Sequence, residues 1–167
     1  CLHMVRDSFS GVCIAFPQRA RTTVSCYHNF KFFAGHRANN PDVIVKSDAA
    51  KEITGAVDEL GWHSNPSLEN TWPHNTVLER HQGKLKSVIR AEMLQSGVPQ
   101  AAWDCCSTMS SIALSITEPA PILPWERDAA GNILDAYAAK AEQTCWECLH
   151  DGEEFSGPIE PFGRLCY

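Results

Sequence analysis

The sequence predicts an α/β fold, a mixed sheet flanked by helices, on two observations. Segments of strand character alternate with segments of helical period, in the order strand, strand, helix, strand, helix, loop, helix, helix. Alternation of that kind builds a sheet covered by helices. The β-branched run Val43-Ile44-Val45 lies between two helical segments and carries no polar alternation, the pattern of a strand buried on both faces.

The elements follow in order. In residues 1–16, Leu2 and Met4, then Val12, Ile14 and Phe16, alternate with other residues, and Ser8 to Gly11 supplies a turn; this reads as two short strands. Thr22 to Ala34 spaces Val24, Tyr27 and Phe30 as an amphipathic helix does, and Gly35 to Pro41 breaks it. The run Val43–Val45 ends in Lys46-Ser47-Asp48. Residues 49–60 place Ile53, Val57 and Leu60 on one helical side, with Gly61 as the stop. Trp62 to His74 reads as irregular and polar. A long helix is expected from Thr76 to Ser96, with Leu78, Leu85, Val88, Ile89 and Met93 as its apolar stripe. Gly97-Val98-Pro99 ends it. A second apolar helix, from Ala101 to Ile116, carries Trp103, Met109, Ile112 and Leu114.

Pro119, Pro121 and Pro124 then mark a boundary, dividing the chain into a core at 1–117 and an acidic, irregular segment at 118–167. The second part is expected to hold one helix around Asp135–Leu149 and a strand at Arg164–Tyr167.

With 167 residues, 44% of them hydrophobic, the chain has material for one globular domain with a real core, which excludes a disordered protein. No apolar run reaches the roughly 20 residues that span a bilayer, so no membrane partner is expected. The start at Cys1, without a secretory leader, suggests a piece of something longer. The net charge of -6 conceals an asymmetry: residues 1–117 carry 11 basic and 10 acidic side chains, residues 118–167 carry 3 and 10. The first part is therefore free to bind a polyanion if its cations share a face.

Eight cysteines have no disulfide rhythm, and Cys105 adjoins Cys106; reduced thiols are the expectation. Cys145 and Cys148 have the spacing of half a zinc site, which only His150 and Cys166 stand ready to complete. Ser8 and Ser10 have no base partner in sequence, which argues against a serine hydrolase. The histidines are scattered, with no metal-ligand spacing.

Two carboxylates are well placed for chemistry. Asp48 follows the strand Val43–Val45, and ligand groups in open α/β sheets gather at strand carboxyl ends. Glu79 falls in the first turn of the long helix, where the dipole favours a fixed, ionised carboxylate. Hard oxygen ligands of this kind suit Mg²⁺ or Mn²⁺. Along the same helix Arg80, Lys84, Lys86 and Arg90 form a positive side. Glu79, Gly83, Lys86 and Arg90 recur at three- or four-residue steps and so share a face apart from the apolar stripe. A metal-binding carboxylate beside cations suits a phosphodiester.

Taken together, Val45-Lys46-Ser47-Asp48, Glu52, Leu60-Gly61-Trp62 and Trp72-Pro73-His74-Asn75-Thr76-Val77-Leu78-Glu79-Arg80 resemble the catalytic core of retroviral-type integrases, with the copia-type retrotransposon branch nearest. Arg6-Asp7-Ser8-Phe9-Ser10-Gly11 is similar to that family's second-strand hairpin, Leu94-Gln95-Ser96-Gly97-Val98-Pro99 to its Gly-Leu-Pro stretch, and Thr144 to Tyr167 to the segment after the core in copia-type polyproteins.

The resemblance implies an RNase H-like fold and an Asp-Asp-Glu site that binds two divalent ions for DNA 3′-processing and strand transfer. Asp48 would be the second carboxylate and Glu79 the third. Asn75, Trp72 and the loop from Asn65 to His74 would touch DNA, as would Lys84, Lys86 and Arg90. Partners would be DNA, further copies of the chain and the rest of a polyprotein, and the site of action the nucleus. The sequence departs from the family at Ala49-Ala50 (Asn-Gly there) and at Thr76 (Gly there). The family's first Asp lies on a strand upstream of the hairpin. Asp7 matches the noncatalytic hairpin aspartate instead. The chain is therefore expected to lack the first strand and to be inactive alone; the alternative is a degenerate, noncatalytic RNase H-like binding module.

Overall fold

The computed structural model describes residues 1–67, 76–160 and 162. Among these residues four strands and six α-helices follow in order: β1 (Leu2–Arg6), β2 (Cys13–Pro17), α1 (Thr23–Ala34), β3 (Ile44–Ser47), α2 (Lys51–Glu59), β4 (His63–Pro66), α3 (Thr76–Ser96), α4 (Trp103–Thr117), α5 (Ala138–Ala141) and α6 (Cys145–Leu149). β1 pairs with β2, and β3 pairs with β4. The chain forms two compact units, Cys1–Val5 with Ala15–Lys84, and Arg6–Ile14 with Leu85–Tyr167.

In the first unit, Thr22 caps α1 by accepting the Ser25 N–H at 3.1 Å, relieving one of the helix's unpaired amides. Gly35, at φ 54°, ends it, in a conformation a side chain would resist. Cys26 and Phe30 on α1, Ala56 and Val57 on α2, and Ala38 and Trp62 form the buried centre, with Val5, Val43, Val45, Ile53 and Leu60 around it. The Trp62 indole N–H, which burial would otherwise orphan, donates to the Ala38 carbonyl at 3.1 Å. Its ring stands edge-on to Phe30 at 5.8 Å.

β3 and β4 are parallel and in register from Ile44↔His63 to Ser47↔Pro66, with α2 as the crossover a parallel pair requires. Two expectations are corrected here. β3 is not buried on both faces: Ile44 is 67% exposed while Val45 packs on the α1–α2 cluster. The reason is that β3 meets helices through alternate residues only. Residues 62–74 are not wholly irregular either, because His63–Pro66 is a strand. All four of its side chains are exposed, so it is built by backbone hydrogen bonds such as His63 N–H to Val43 O at 2.9 Å and carries no apolar signature.

In the second unit, the hairpin turn is tied by Asp7, whose Oδ2 accepts from the Ser10 N–H at 2.7 Å and the Ser10 hydroxyl at 2.6 Å. Gly11 takes φ 87°. A Cβ there would stand 2.7 Å from both Cys145 Sγ and Pro121 Cδ, so only glycine lets the turn lie against the later segment. Leu85 and Ile89 on α3 are buried as expected.

α4 is reversed. The expected apolar face is partly outward, with Met109 44% exposed and Trp103 exposed, while Cys106, Ser107, Ser110, Ser111, Leu114 and Ser115 are buried. Small residues permit close packing, and each buried hydroxyl is satisfied locally: Ser107 donates to Asp104 O at 2.7 Å, Ser110 to Cys106 O at 2.8 Å and Ser111 to Thr108 O at 2.8 Å. Ser110 and Cys106 also reach Glu92 Oε2 on α3. Ser115 joins β2, accepting the Cys13 N–H at 2.9 Å and donating to the Cys13 carbonyl at 3.1 Å.

The expected single helix at Asp135–Leu149 is instead a 3₁₀ turn at Asp135–Tyr137, then α5, then α6. The break falls where Thr144 opens α6 with a capping box, its hydroxyl accepting the Glu147 N–H while Glu147 accepts the Thr144 N–H. Residues 118–149 are organised beyond these helices: Cys145 N–H donates to Glu118 O and Ala120 N–H to Gln143 O. The expected strand at Arg164–Tyr167 lies outside the described residues. Among the described residues, no helix is long and apolar enough to cross a membrane.

Candidate functional site

Asp48 follows the last residue of β3, in the turn that leads into α2, and its side chain is exposed. Its carbonyl accepts the Ala50 N–H at 2.6 Å. Ala50 caps α2 without a side-chain hydrogen bond, so the alanines leave this turn to backbone geometry alone. Ser47, beside it, is buried, and its hydroxyl finds no hydrogen-bond partner among the described residues. Glu79 stands in the first turn of α3, half-buried. Both acids therefore occupy the positions their sequence context predicts, a strand end and a helix start.

On α3, Lys84, Lys86 and Arg90 are exposed, as are Arg80 and Gly83. The helix thus turns Leu85 and Ile89 inward while its cations stay in water, the division the residue spacing predicts. Asn75 and Trp72, expected to touch DNA, lie outside the described residues.

His3 is the residue near the site that the sequence left unassigned. It sits on β1, half-buried, with its ring edge-on to Phe30 at 5.1 Å and tilted against Phe16 at 6.5 Å. The side-chain amide of Asn29 lies 3.1 Å from its Nδ1. Burial pushes the imidazole pKa down from 6.5 to about 4, against the pull of the Asp48 and Glu52 carboxylates, which act in the opposite sense. The ring is therefore neutral at pH 7. No pattern of spacing could have found it, because β1 and the β3–α2 turn are far apart in sequence.

Asp48 and Glu79 each carry hard carboxylate oxygens, the donor type that suits Mg²⁺ or Mn²⁺. No group of three or more His, Cys, Asp or Glu side chains able to hold a metal forms among the described residues. That finding covers Cys145, Cys148 and His150, which do not assemble into a zinc site. Burial pushes the Cys145 thiol up to about 11 and raises Cys148; Cys166, the fourth candidate ligand, lies outside the described residues. Asp7, with Oδ2 occupied by Ser10, serves the hairpin turn.

The fold, a mixed α/β arrangement, is similar to that of solved retroviral integrase structures. Two solved structures define the likeness. A chain of the simian T-cell lymphotropic virus intasome, in complex with PP2A regulatory subunit B56 gamma, matches with a TM-score of 0.62 at 18% identity over 95% of this chain. The present chain spans about half of that one, 50%. The HTLV-2 integrase catalytic core domain, in complex with magnesium and in a trimeric form, matches with a TM-score of 0.56 at 14% identity, over 89% of this chain and 83% of that one. No family model and no curated protein matches the sequence.

Proposed function

We propose that the chain is the catalytic-core portion of a copia-type integrase within a retrotransposon polyprotein, acting on DNA in the nucleus. The observation that carries this reading is the pairing of an integrase-core fold with Asp48 at a strand end and Glu79 at a helix start. In this reading residues 1–117 are the core and 118–167 the acidic segment after it. Asp48 and Glu79 hold divalent ions, which when bound supply Lewis-acid activation of water or a DNA 3′-hydroxyl. Lys84, Lys86 and Arg90 hold backbone phosphates, and Asn75 and Trp72 border the scissile bond. The first acidic ligand comes from a strand other than β1–β4, so this chain alone lacks strand-transfer activity. Copies of the chain assemble on the DNA ends.

A second reading, a noncatalytic RNase H-like module that binds nucleic acid or protein, is favoured by the residues beside the two acids: Ala49-Ala50 and Thr76 stand where the resembled family carries Asn-Gly and Gly. Thermal melting in rising Mn²⁺ separates the two. A ligand that binds only the folded state raises its stability with concentration. The catalytic reading expects a rising melting temperature that Asp48→Asn abolishes. A flat curve gives the site to the second reading. Efficient joining of DNA ends by this chain alone would overturn the placement of the first ligand.

A further inference from the structure

We infer that Cys145 and Cys148 form a redox modification site, a dithiol that a low-molecular-weight disulfide such as oxidised glutathione converts to an intramolecular disulfide. Both are free thiols, first and fourth in α6. Side chains three apart on a helix are neighbours, with about 5–6 Å between their Cβ atoms. A disulfide needs about 3.5–4.5 Å, so tightening a single turn closes the bridge. That turn is already fixed in place. The Thr144–Glu147 capping box opens it, the Cys148 N–H donates to Thr144 O at 3.0 Å, and the Cys145 N–H donates to Glu118 O at 2.8 Å. Burial divides the roles. Cys148 is half-buried and open to a reagent, while Cys145 is 3% exposed. Cys148 therefore reacts first: its thiolate attacks one sulfur of the reagent, whose S–S bond breaks to release one thiol. Cys145, giving up its proton, then attacks Cys148 Sγ in the mixed disulfide and expels the second thiol. The pair loses two protons and two electrons, and the reagent disulfide gains them. A cation stands beside this second nucleophile. Arg6 Nη2 and Cys145 Sγ lie 3.2 and 2.7 Å from the point that a Gly11 Cβ would occupy, and the guanidinium favours the thiolate while burial opposes it. Cys13, the thiol on β2, is fully buried, which keeps the reagent from it. Closing the bridge draws Cys145 Sγ away from Gly11 and from Pro119 O, to which it donates at 3.4 Å, so oxidation is felt at the hairpin turn.

Neither thiol belongs to the Asp48–Glu79 site, so the test stands apart from that reading. The full wild-type chain is incubated with oxidised glutathione, then unfolded, alkylated and mapped by peptide mass spectrometry without reduction. The expected product joins Cys145 to Cys148, with the loss of two hydrogens and of two alkylatable thiols. The exposed Cys1 and Cys105 can end only as glutathione adducts or alkylated thiols. A stable glutathione adduct on Cys148, a bridge between Cys13 and Cys145, or unreacted thiols at both 145 and 148 overturns the inference. Cys148→Ser removes the first nucleophile at a half-buried position, and Cys145 should then remain fully alkylatable; loss of its thiol in that variant overturns the order of attack. Oxidation should also shift the Gly11 backbone amide resonance in the wild type and leave it in place in Cys148→Ser. An unmoved resonance in the oxidised wild type overturns the link to the hairpin turn.

Discussion

Lys140 Nζ and Glu126 Oε1 meet at 2.6 Å with both side chains withdrawn from water, at 6% and 0% exposure. The second carboxylate oxygen accepts the Leu123 N–H at 2.6 Å, and the ammonium lies 4.0 Å from the centre of the Phe9 ring. The pair thus anchors residues 118–149 to the hairpin turn. Removing one partner leaves a buried charge uncompensated. Lys140→Met is expected to destabilise the chain by about 3–5 kcal/mol, measured by urea denaturation. Replacing both with apolar residues of similar size should restore much of that loss.

The same pair sets an acid limit. Burial by itself would raise the Glu126 carboxyl, but the Lys140 ammonium and the Leu123 N–H outweigh it and hold the group below its usual 4.5. Because the folded value is depressed, the stabilisation is complete above pH 4.5 and is lost as the pH falls through the folded value. Denaturation midpoints taken downward from pH 5 should decline in the wild type and decline less in Glu126→Gln.

His3 adds a second slope at higher pH. Its folded pKa of about 4 lies below the unfolded 6.5, so the unfolded chain binds the extra proton between those values. Stability is therefore full above pH 6.5 and falls toward pH 4, by up to about 3 kcal/mol. His3→Phe should flatten the slope in that window when stability is followed by circular dichroism.

Gly11→Ala meets two obstacles at once, a positive φ and a Cβ 2.7 Å from Cys145 Sγ and Pro121 Cδ. The expected loss is about 2 kcal/mol or more, read as a lower thermal midpoint. Gly83→Ala, in open space on α3, should instead be neutral or stabilising.

The basic face of α3 makes a prediction about ligand. Lys86→Ala and Arg90→Ala should weaken DNA binding, and each should reduce the salt slope by about 1 if its cation meets a phosphate. Fluorescence anisotropy across a salt series measures both. An unaltered slope makes those side chains ordinary surface.

The sequence was most legible where periodicity and burial coincide. α1, α2 and the long α3 carry apolar residues at helical spacing that face a core, and Asp48 and Glu79 could be placed because each adjoins such an element. It misled where backbone or small side chains carry the structure. β4 has no apolar residue to signal it, and α4 buries serines that satisfy their own hydroxyls, so hydropathy found Leu114 but missed most of the buried face. The break before α6 was written in Thr144 and Glu147, a capping box that a search for continuous apolar period overlooks. His3 was beyond reach because its neighbours come from distant segments.

Cys13 and Ser115 are bonded through both the N–H and the carbonyl of the cysteine across 102 positions of chain. Contacts between residues so distant in sequence form late and slow the search for the native state. During synthesis the N-terminal hairpin must therefore wait for α4 to emerge before its second strand gains this partner. Truncations that end before residue 115 should yield a hairpin vulnerable to protease, whatever the quality of its own turn.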